Sequence, residues 1–168
     1  MKKIIILLIF ALFSFNANAG CDDPIGDGVD YTNCRFSDGQ DLAGSYLPNS
    51  NLSFTSFIQV NFDKSIMMNS ILAFGTFSES SFVRANLYES NLQGANFEKT
   101  NFTSANLTRA NFQGASLIEA NFKDSNLFEA NFTAANITNA NFEGSNLNNA
   151  TWADGKKCGL GSIGECKK

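Results

Sequence analysis

The chain contains no histidine, two prolines and one tryptophan, and the first shortage closes whole classes of function. Without histidine there is no imidazole to act as a general base near neutral pH or as the usual nitrogen ligand of a transition metal. Four cysteines are present, but none lies in a CxxC arrangement, so a structural zinc site lacks its ordinary signature. No metal and no cofactor is expected. Basic residues are scarce as well: 12 Lys and Arg stand against 16 Asp and Glu, a net charge of −4. That balance argues against direct binding to nucleic acid or to an anionic membrane. Long hydrophobic runs are limited to one, Ile4 to Phe15, which is too short to span a bilayer, so no transmembrane segment is expected.

That single run follows Lys2 and Lys3 and precedes Ala17-Asn18-Ala19, small residues at the spacing signal peptidase accepts. Residues 1–19 therefore read as a signal peptide, and the chain as exported, periplasmic or secreted. Its removal leaves 10 basic against 16 acidic residues, a net charge of −6. A second reading competes over the same stretch, because Ala19-Gly20-Cys21 resembles the end of a lipobox that would place a lipid anchor on Cys21. Asn18 stands where that motif has Leu, and lipidation would leave an odd number of cysteines, so soluble export is preferred.

What the chain does have is a register. Every fifth residue from Leu42 to Trp152 is a large apolar side chain, without a break, which makes 23 units. A period of five fits neither a helix at 3.6 residues per turn nor a strand at 2, so the backbone must turn a corner once per unit and wind into a solenoid. Two residues before each centre sits a small residue, as at Ala95, Ala105, Ala110 and Ala120, which also faces inward. Between the two stands Asn in fourteen units, and strand alternation sends it outward. Stacked Asn forms hydrogen-bonded ladders where stacked Asp would repel, so the Asn columns read as structural. The remaining two residues of each unit turn the corner.

The pattern resembles the pentapeptide-repeat family, whose unit of Ala, Asp or Asn, Leu and two variable residues is matched by Ala105-Asn106-Leu107-Thr108-Arg109 and its neighbours. The resemblance implies an all-β fold, a right-handed quadrilateral β-helix with four pentapeptides per coil. At that period Phe62, Phe82, Phe102, Phe122 and Phe142 fall into one column, and Leu47, Met67, Leu87, Leu107, Leu127 and Leu147 into another. The domain reading is a signal peptide over 1–19, an N-terminal cap over 20–41, the β-helix over 42–152 and a C-terminal disulfide cap over 153–168. The helix would hold about six coils and be about 28 Å long at the strand spacing of ~4.8 Å. Its two ends are too far apart for a disulfide, so Cys21 is expected to pair with Cys34 and Cys158 with Cys166, one staple in each cap. Tyr31 and Phe36 are expected to lie over the first coil, and Gly39 to mark a one-residue slip of register between Phe36 and Leu42.

A rod filled with stacked Phe and Leu offers no catalytic cavity, and no nucleophile stands near a base, so no enzymatic activity is expected. Asp23, Asp27 and Asp30 gather around Gly26 and Gly28, but their spacing misses the calcium-loop pattern and they read as an acidic surface loop. Sorting the outward residues by coil gives a more specific lead. The position after each centre in the Leu47 column holds Met68, Tyr88 and Phe128, and the next face holds Phe54 and Phe74. That next face carries no charge from Leu52 to Phe132, so these five residues form the candidate contact surface. The expected function is a non-enzymatic rod that binds an unidentified protein partner or itself. The alternative comes from the resemblance: the best-known members mimic duplex DNA and protect DNA gyrase from quinolones. This chain departs from them in its export signal, its Gly-rich disulfide tail and the mere eight acids spread over its 23 units.

Overall fold

The computed structural model describes residue 21 and residues 23–168, and the expected signal peptide lies outside the described residues. From Asp41 onward, outward residues bridge in parallel to the residue twenty positions later, from Asp41↔Asn61 to Asn131↔Thr151. Twenty residues are four pentapeptides, so the chain returns above itself after four corners and the cross-section is four-sided. The faces are named by their first central residue, in chain order the Leu42, Leu47, Leu52 and Phe57 faces.

Between Phe36 and Leu42 the centres are six residues apart instead of five. The ladder absorbs the extra residue: Asp30↔Asn51 and Arg35↔Ser56 are 21 positions apart, and the separation returns to 20 at Asp41↔Asn61. Gly39, at φ 73°, sits at the slip as expected. The bridges thus reach upstream of Leu42. Tyr31 and Phe36 do not lie over the first coil but take central positions in it, where Tyr31 is buried and Phe36 stacks on Phe57 at 4.2 Å.

The corner explains the five-residue period. In every unit from Asn49 to Asn149 the second residue after the centre is left-handed, with φ between 55 and 60° wherever it is not glycine. In most units the next residue then donates its N–H back to the central carbonyl, as Ser65 does to Phe62 at 3.1 Å and Ala105 to Phe102 at 3.0 Å, whereas Val60 donates to Ser80 Oγ at 3.0 Å. A three-residue-back hydrogen bond with φ > 0 at its third residue marks a type II turn. The turn reverses the side-chain alternation at each corner, so both the centre and the small residue before it face inward on every side.

Packing follows the columns. Phe62, Phe82, Phe102, Phe122 and Phe142 stack nearly parallel at 4.9 to 5.2 Å, while rings on opposite faces meet edge-on across the core, Phe102 and Phe112 at 5.9 Å and 81°. Both are favourable aromatic geometries. Four of the small inward Ser and Thr residues span the coils: Ser70, Ser80, Ser90 and Thr100 each donate to the carbonyl of a centre 23 positions earlier, at 2.6 to 2.8 Å. Outside, the Asn ladders form. Asn106 Nδ2 donates to Asn86 Oδ1 at 3.0 Å and Asn141 Nδ2 to Asn121 Oδ1 at 3.0 Å, and the same oxygens accept the backbone N–H two residues on, as Lys123 N to Asn121 Oδ1 at 3.1 Å. Aspartate would accept both bonds but has no Nδ2–H to give to the coil below.

Both ends carry the expected disulfides, Cys21–Cys34 and Cys158–Cys166, with Cα–Cα distances of 5.6 and 5.0 Å. At the N-terminal end the Tyr31 hydroxyl donates to the Asp23 carbonyl at 2.7 Å. At the C-terminal end the chain folds back antiparallel over its last coil, through Asn146↔Ile163 and Thr151↔Lys157.

Candidate interaction surface

Exposed apolar side chains are concentrated on two adjacent faces near the N-terminal end. Phe54 and Phe74 are 57% and 52% exposed, and Tyr46, Ile66 and Ile71 are 53%, 37% and 40% exposed. Phe54 and Phe74 stack at 5.3 Å with their planes 14° apart. Both occupy the left-handed corner position, at φ 58° and 59°, where a bulky L-residue is disfavoured by roughly 1–2 kcal/mol. The ladder continues without a side chain at Gly94: a Cβ there would sit 2.6 Å from the Phe74 ring, so the Phe74 ring lies across the Gly94 backbone. Stability alone does not account for two solvent-facing rings stacked at strained positions, the upper of them laid over a glycine.

The other three candidates fall differently. Met68, Tyr88 and Phe128 are half-buried. Tyr88 belongs to a polar cluster: Arg109 reaches its hydroxyl at 3.2 Å and bridges Glu89 at 3.1 Å and Glu129 at 2.7 Å, one coil below and one above. Hydrogen bonds from Tyr88 and then Arg109 hold the Glu89 carboxyl below its ordinary range, and those from Glu129 and Glu89 raise Arg109. The expected stripe is therefore divided, apolar and open below Tyr88 and closed by charge above it. Tyr46, Ile66 and Ile71 were missed in the sequence. They stand at the outward position that is Asn in fourteen units, and that substitution was the available signal.

Charge surrounds this surface without entering it. The Leu52 face carries no charged residue from Asn51 to Ala134. Elsewhere Lys123 pairs with Glu143 at 3.0 Å, Lys99 with Glu98 at 3.8 Å, and Lys168 with Asp154. With the Arg109 pairs, four of the eight acids between Leu42 and Trp152 are in ion pairs: Glu89, Glu98, Glu129 and Glu143. The N-terminal aspartates go to separate partners, since Asp27 accepts from Asn49 at 2.9 Å and Asp30 accepts the Thr32 N–H at 3.0 Å. Among the described residues no three potential metal ligands converge, and no helix is long and apolar enough to cross a membrane.

The family described as pentapeptide repeats matches in eight copies, over residues 41–72, 80–117, 105–144 and 125–151. No curated protein matches. Among solved structures, a trypsin-treated form of QnrB1, a plasmid-mediated fluoroquinolone resistance protein, is 25% identical with a TM-score of 0.55, over 71% of this chain and 60% of that one. This chain thus spans less than two thirds of that structure's length. Full-length QnrB1 is 21% identical with a TM-score of 0.51, over 76% of each chain. A pentapeptide repeat protein of the cyanobacterium Cyanothece 51142, Rfr23, is 24% identical with a TM-score of 0.35, over 61% and 80%. The period of twenty, the four corners and the family match agree, and the chain belongs to the pentapeptide repeat family, whose members are right-handed quadrilateral β-helices.

Proposed function

We propose that this protein is an exported, non-enzymatic β-helical rod that binds another protein through its Phe54 and Phe74 corner. The observation that carries the reading is the exposed, stacked Phe54–Phe74 pair at left-handed positions on an uncharged face. Tyr46, Ile66, Met68 and Ile71 extend the same surface around the adjoining corner, whereas Tyr88 and Phe128 border it. The partner's contacting surface is apolar and uncharged, because a charged group set against this face would be desolvated without a counter-ion. Residues 1–19 act as the signal peptide, residues 23–29 and 153–168 as caps on a helix of about six coils whose first coil includes Tyr31 and Phe36, and the protein works in the periplasm or outside the cell. Two disulfides support an oxidising compartment. With five basic against eight acidic residues between Leu42 and Trp152, a protein partner is favoured over nucleic acid.

The test is a photo-crosslinking amino acid placed at Phe74 in the native cells, with Ser104 on a different corner as the control position. One defined adduct from Phe74, lost when Phe54→Ser is added and absent from Ser104, is the expected result. Adducts that are the same from both positions would sink the reading.

A second reading, a DNA-mimicking protector of a topoisomerase such as DNA gyrase, is favoured by the likeness to QnrB1. Such mimicry needs rows of unpaired acidic side chains. Here half of the repeat acids are already held by Arg109, Lys99 and Lys123, which leaves too little free negative charge.

A further inference from the structure

We infer that the partner at the Phe54 and Phe74 corner is a second copy of this chain, lying antiparallel along the Leu52 face. The inference rests on the protein-binding reading of that corner and names its occupant. The Leu52 face is the side of the rod without charge between Asn51 and Ala134, since the eight acids and five bases of the repeats stand on the other three faces and their corners. Copies of an acidic rod therefore approach one another at least cost through this side.

Shape supplies the first argument. Seven coil strands stack on this face, from Tyr31 to Trp152, and the returning strand at Lys157 adds an eighth beside Thr151. A two-fold axis can lie in the contact plane, perpendicular to the rod and midway between the Leu92 and Phe112 strands. Each column then faces the same column of the partner in reversed order, and all eight strands overlap. Such a contact requires one patch to be complementary to itself. The corner column meets that requirement, with projections at one end and recesses at the other. Phe54 and Phe74 stack there, and the Phe74 ring lies over Gly94. Further along, a Cβ at Gly114 would meet nothing within 4 Å, and Ala134 is small and exposed. In the two-fold arrangement the Phe74 ring enters the recess at the partner's Gly114, and the Phe54 ring that at the partner's Ala134. Beside them Gln93 faces the partner's Gln113. Both glutamines use only their backbone N–H within the chain, and two free carboxamides can exchange one N–H···O bond in each direction.

Charge fixes the register. The corner on the Leu47 side of this face carries Glu89, Arg109 and Glu129 in successive coils. The same axis sets Arg109 against the partner's Glu89, and by symmetry does so twice. Arg109 holds its own Glu89 through Nη1 and its own Glu129 through Nε, which leaves Nη2 to reach across. At the ends of the face, Asp30 and Lys157 are exposed in the column of Asn51 and Thr151, and each falls opposite the other. A slide of one strand destroys these matches. With the axis at the Phe112 level, Arg109 meets the partner's Arg109 and Glu89 the partner's Glu129; at the Leu92 level, Glu89 meets the partner's Glu89. Eight strands make a face about 38 Å by about 10 Å, so two copies bury on the order of 1,000 Å², the size of a weak, reversible dimer.

Sedimentation velocity of the disulfide-intact protein from its own cells tests this, with Glu89→Arg and Arg109→Glu as variants. The expected wild-type species is a dimer with a midpoint of about 10–100 µM. Each variant alone sets like charges against each other across the axis and should weaken association by about tenfold or more. An equimolar mixture of the two should restore it, because both contacts of the mixed pair again join an acid with a base. Misfolding of either variant would not be rescued by mixing. A monomer at every concentration up to about 1 mM overturns the inference, as does a dimer that both variants leave intact or that mixing fails to restore. The photo-crosslinking amino acid at Phe74 separates this inference from the reading beneath it. A covalent dimer of this chain, linked near the partner's Gly114, supports both. An adduct with a different protein keeps the corner as a binding surface and overturns the second copy, and no defined adduct overturns both.

Discussion

Three serines in the interior hold hydroxyls that bond to nothing. Ser45, Ser65 and Ser125 are the small residues ahead of Leu47, Met67 and Leu127, and their Oγ atoms are buried without a hydrogen-bond partner among the described residues. The same column holds Ala85 and Ala105, both fully buried, so alanine fits the space. Ser65→Ala should leave stability unchanged or raise it by up to about 1 kcal/mol, because it removes a desolvated group that has no compensating bond. Ser90 is the contrast: its hydroxyl donates to the Met67 carbonyl at 2.7 Å, and Ser90→Ala should lower stability by about 1 kcal/mol. Urea unfolding of the two variants side by side measures the difference, and equal midpoints would contradict it. The positions of both serines were legible from the five-residue register, but the distinction between them was not, since it depends on how the carbonyl one coil away is oriented. The left-handed corner was hidden for a related reason. Glu, Lys, Arg and Phe together occupy it more often than Gly does, so composition gives no sign of positive φ, and the strain at Phe54 and Phe74 could not be read in advance.

The Phe column and the caps are where single changes act beyond one residue. Phe102 is fully buried, stacked on Phe82 at 5.2 Å and on Phe122 at 5.0 Å, with Phe97 edge-on at 5.3 Å. Phe102→Ala should lower stability by about 3–5 kcal/mol, and because each coil rests only on its neighbours, amide exchange should accelerate first in the coils containing residues 82 and 122. The C-terminal cap is the weaker element. Removing its disulfide with Cys158→Ser should lower stability by about 2–3 kcal/mol and expose the backbone of the last coil over the Leu47 and Leu52 faces. Asp154 adds a pH dependence. Its carboxyl is lowered first by the hydrogen bond from Lys168 and then by the Lys156 N–H, so its stabilising effect is complete above the ordinary aspartate range and is lost as pH falls through its lowered folded value. An NMR titration of the Asp154 carboxyl carbon should give a midpoint below that of a free aspartate, and Lys168→Met should return it toward that of a free aspartate. The cysteine pairing of this element was legible because the two ends of a solenoid cannot reach each other. Its antiparallel return was not, since the Gly-rich stretch from Gly155 to Gly164 shows no strand alternation.

At the scale of the whole molecule, charge decides between the two functional readings. A DNA mimic must present acids along its length that remain free to meet a basic groove. On this rod the acids of the repeats are few, and several are arranged vertically with cations: Arg109 between Glu89 and Glu129, and Lys123 beneath Glu143. Such exposed pairs add little stability, but they remove the field that steering requires. The densest acidity lies at the N-terminal end, in the five aspartates from Asp23 to Asp41, which is a patch and not a duplex-length row. The register made this legible, because sorting residues by twenty places each charge on a face before any coordinates are considered. What the register could not supply was the pairing itself, which depends on side chains reaching across coils. Purified protein lacking residues 1–19 should therefore leave the supercoiling activity of DNA gyrase unchanged at micromolar concentrations and give no protection against a quinolone. Inhibition that appears at low salt and fades as salt rises would indicate electrostatic mimicry after all. In that case Arg109→Gln, which frees Glu89 and Glu129, should strengthen the inhibition, and the Phe54 and Phe74 corner would no longer be the functional surface.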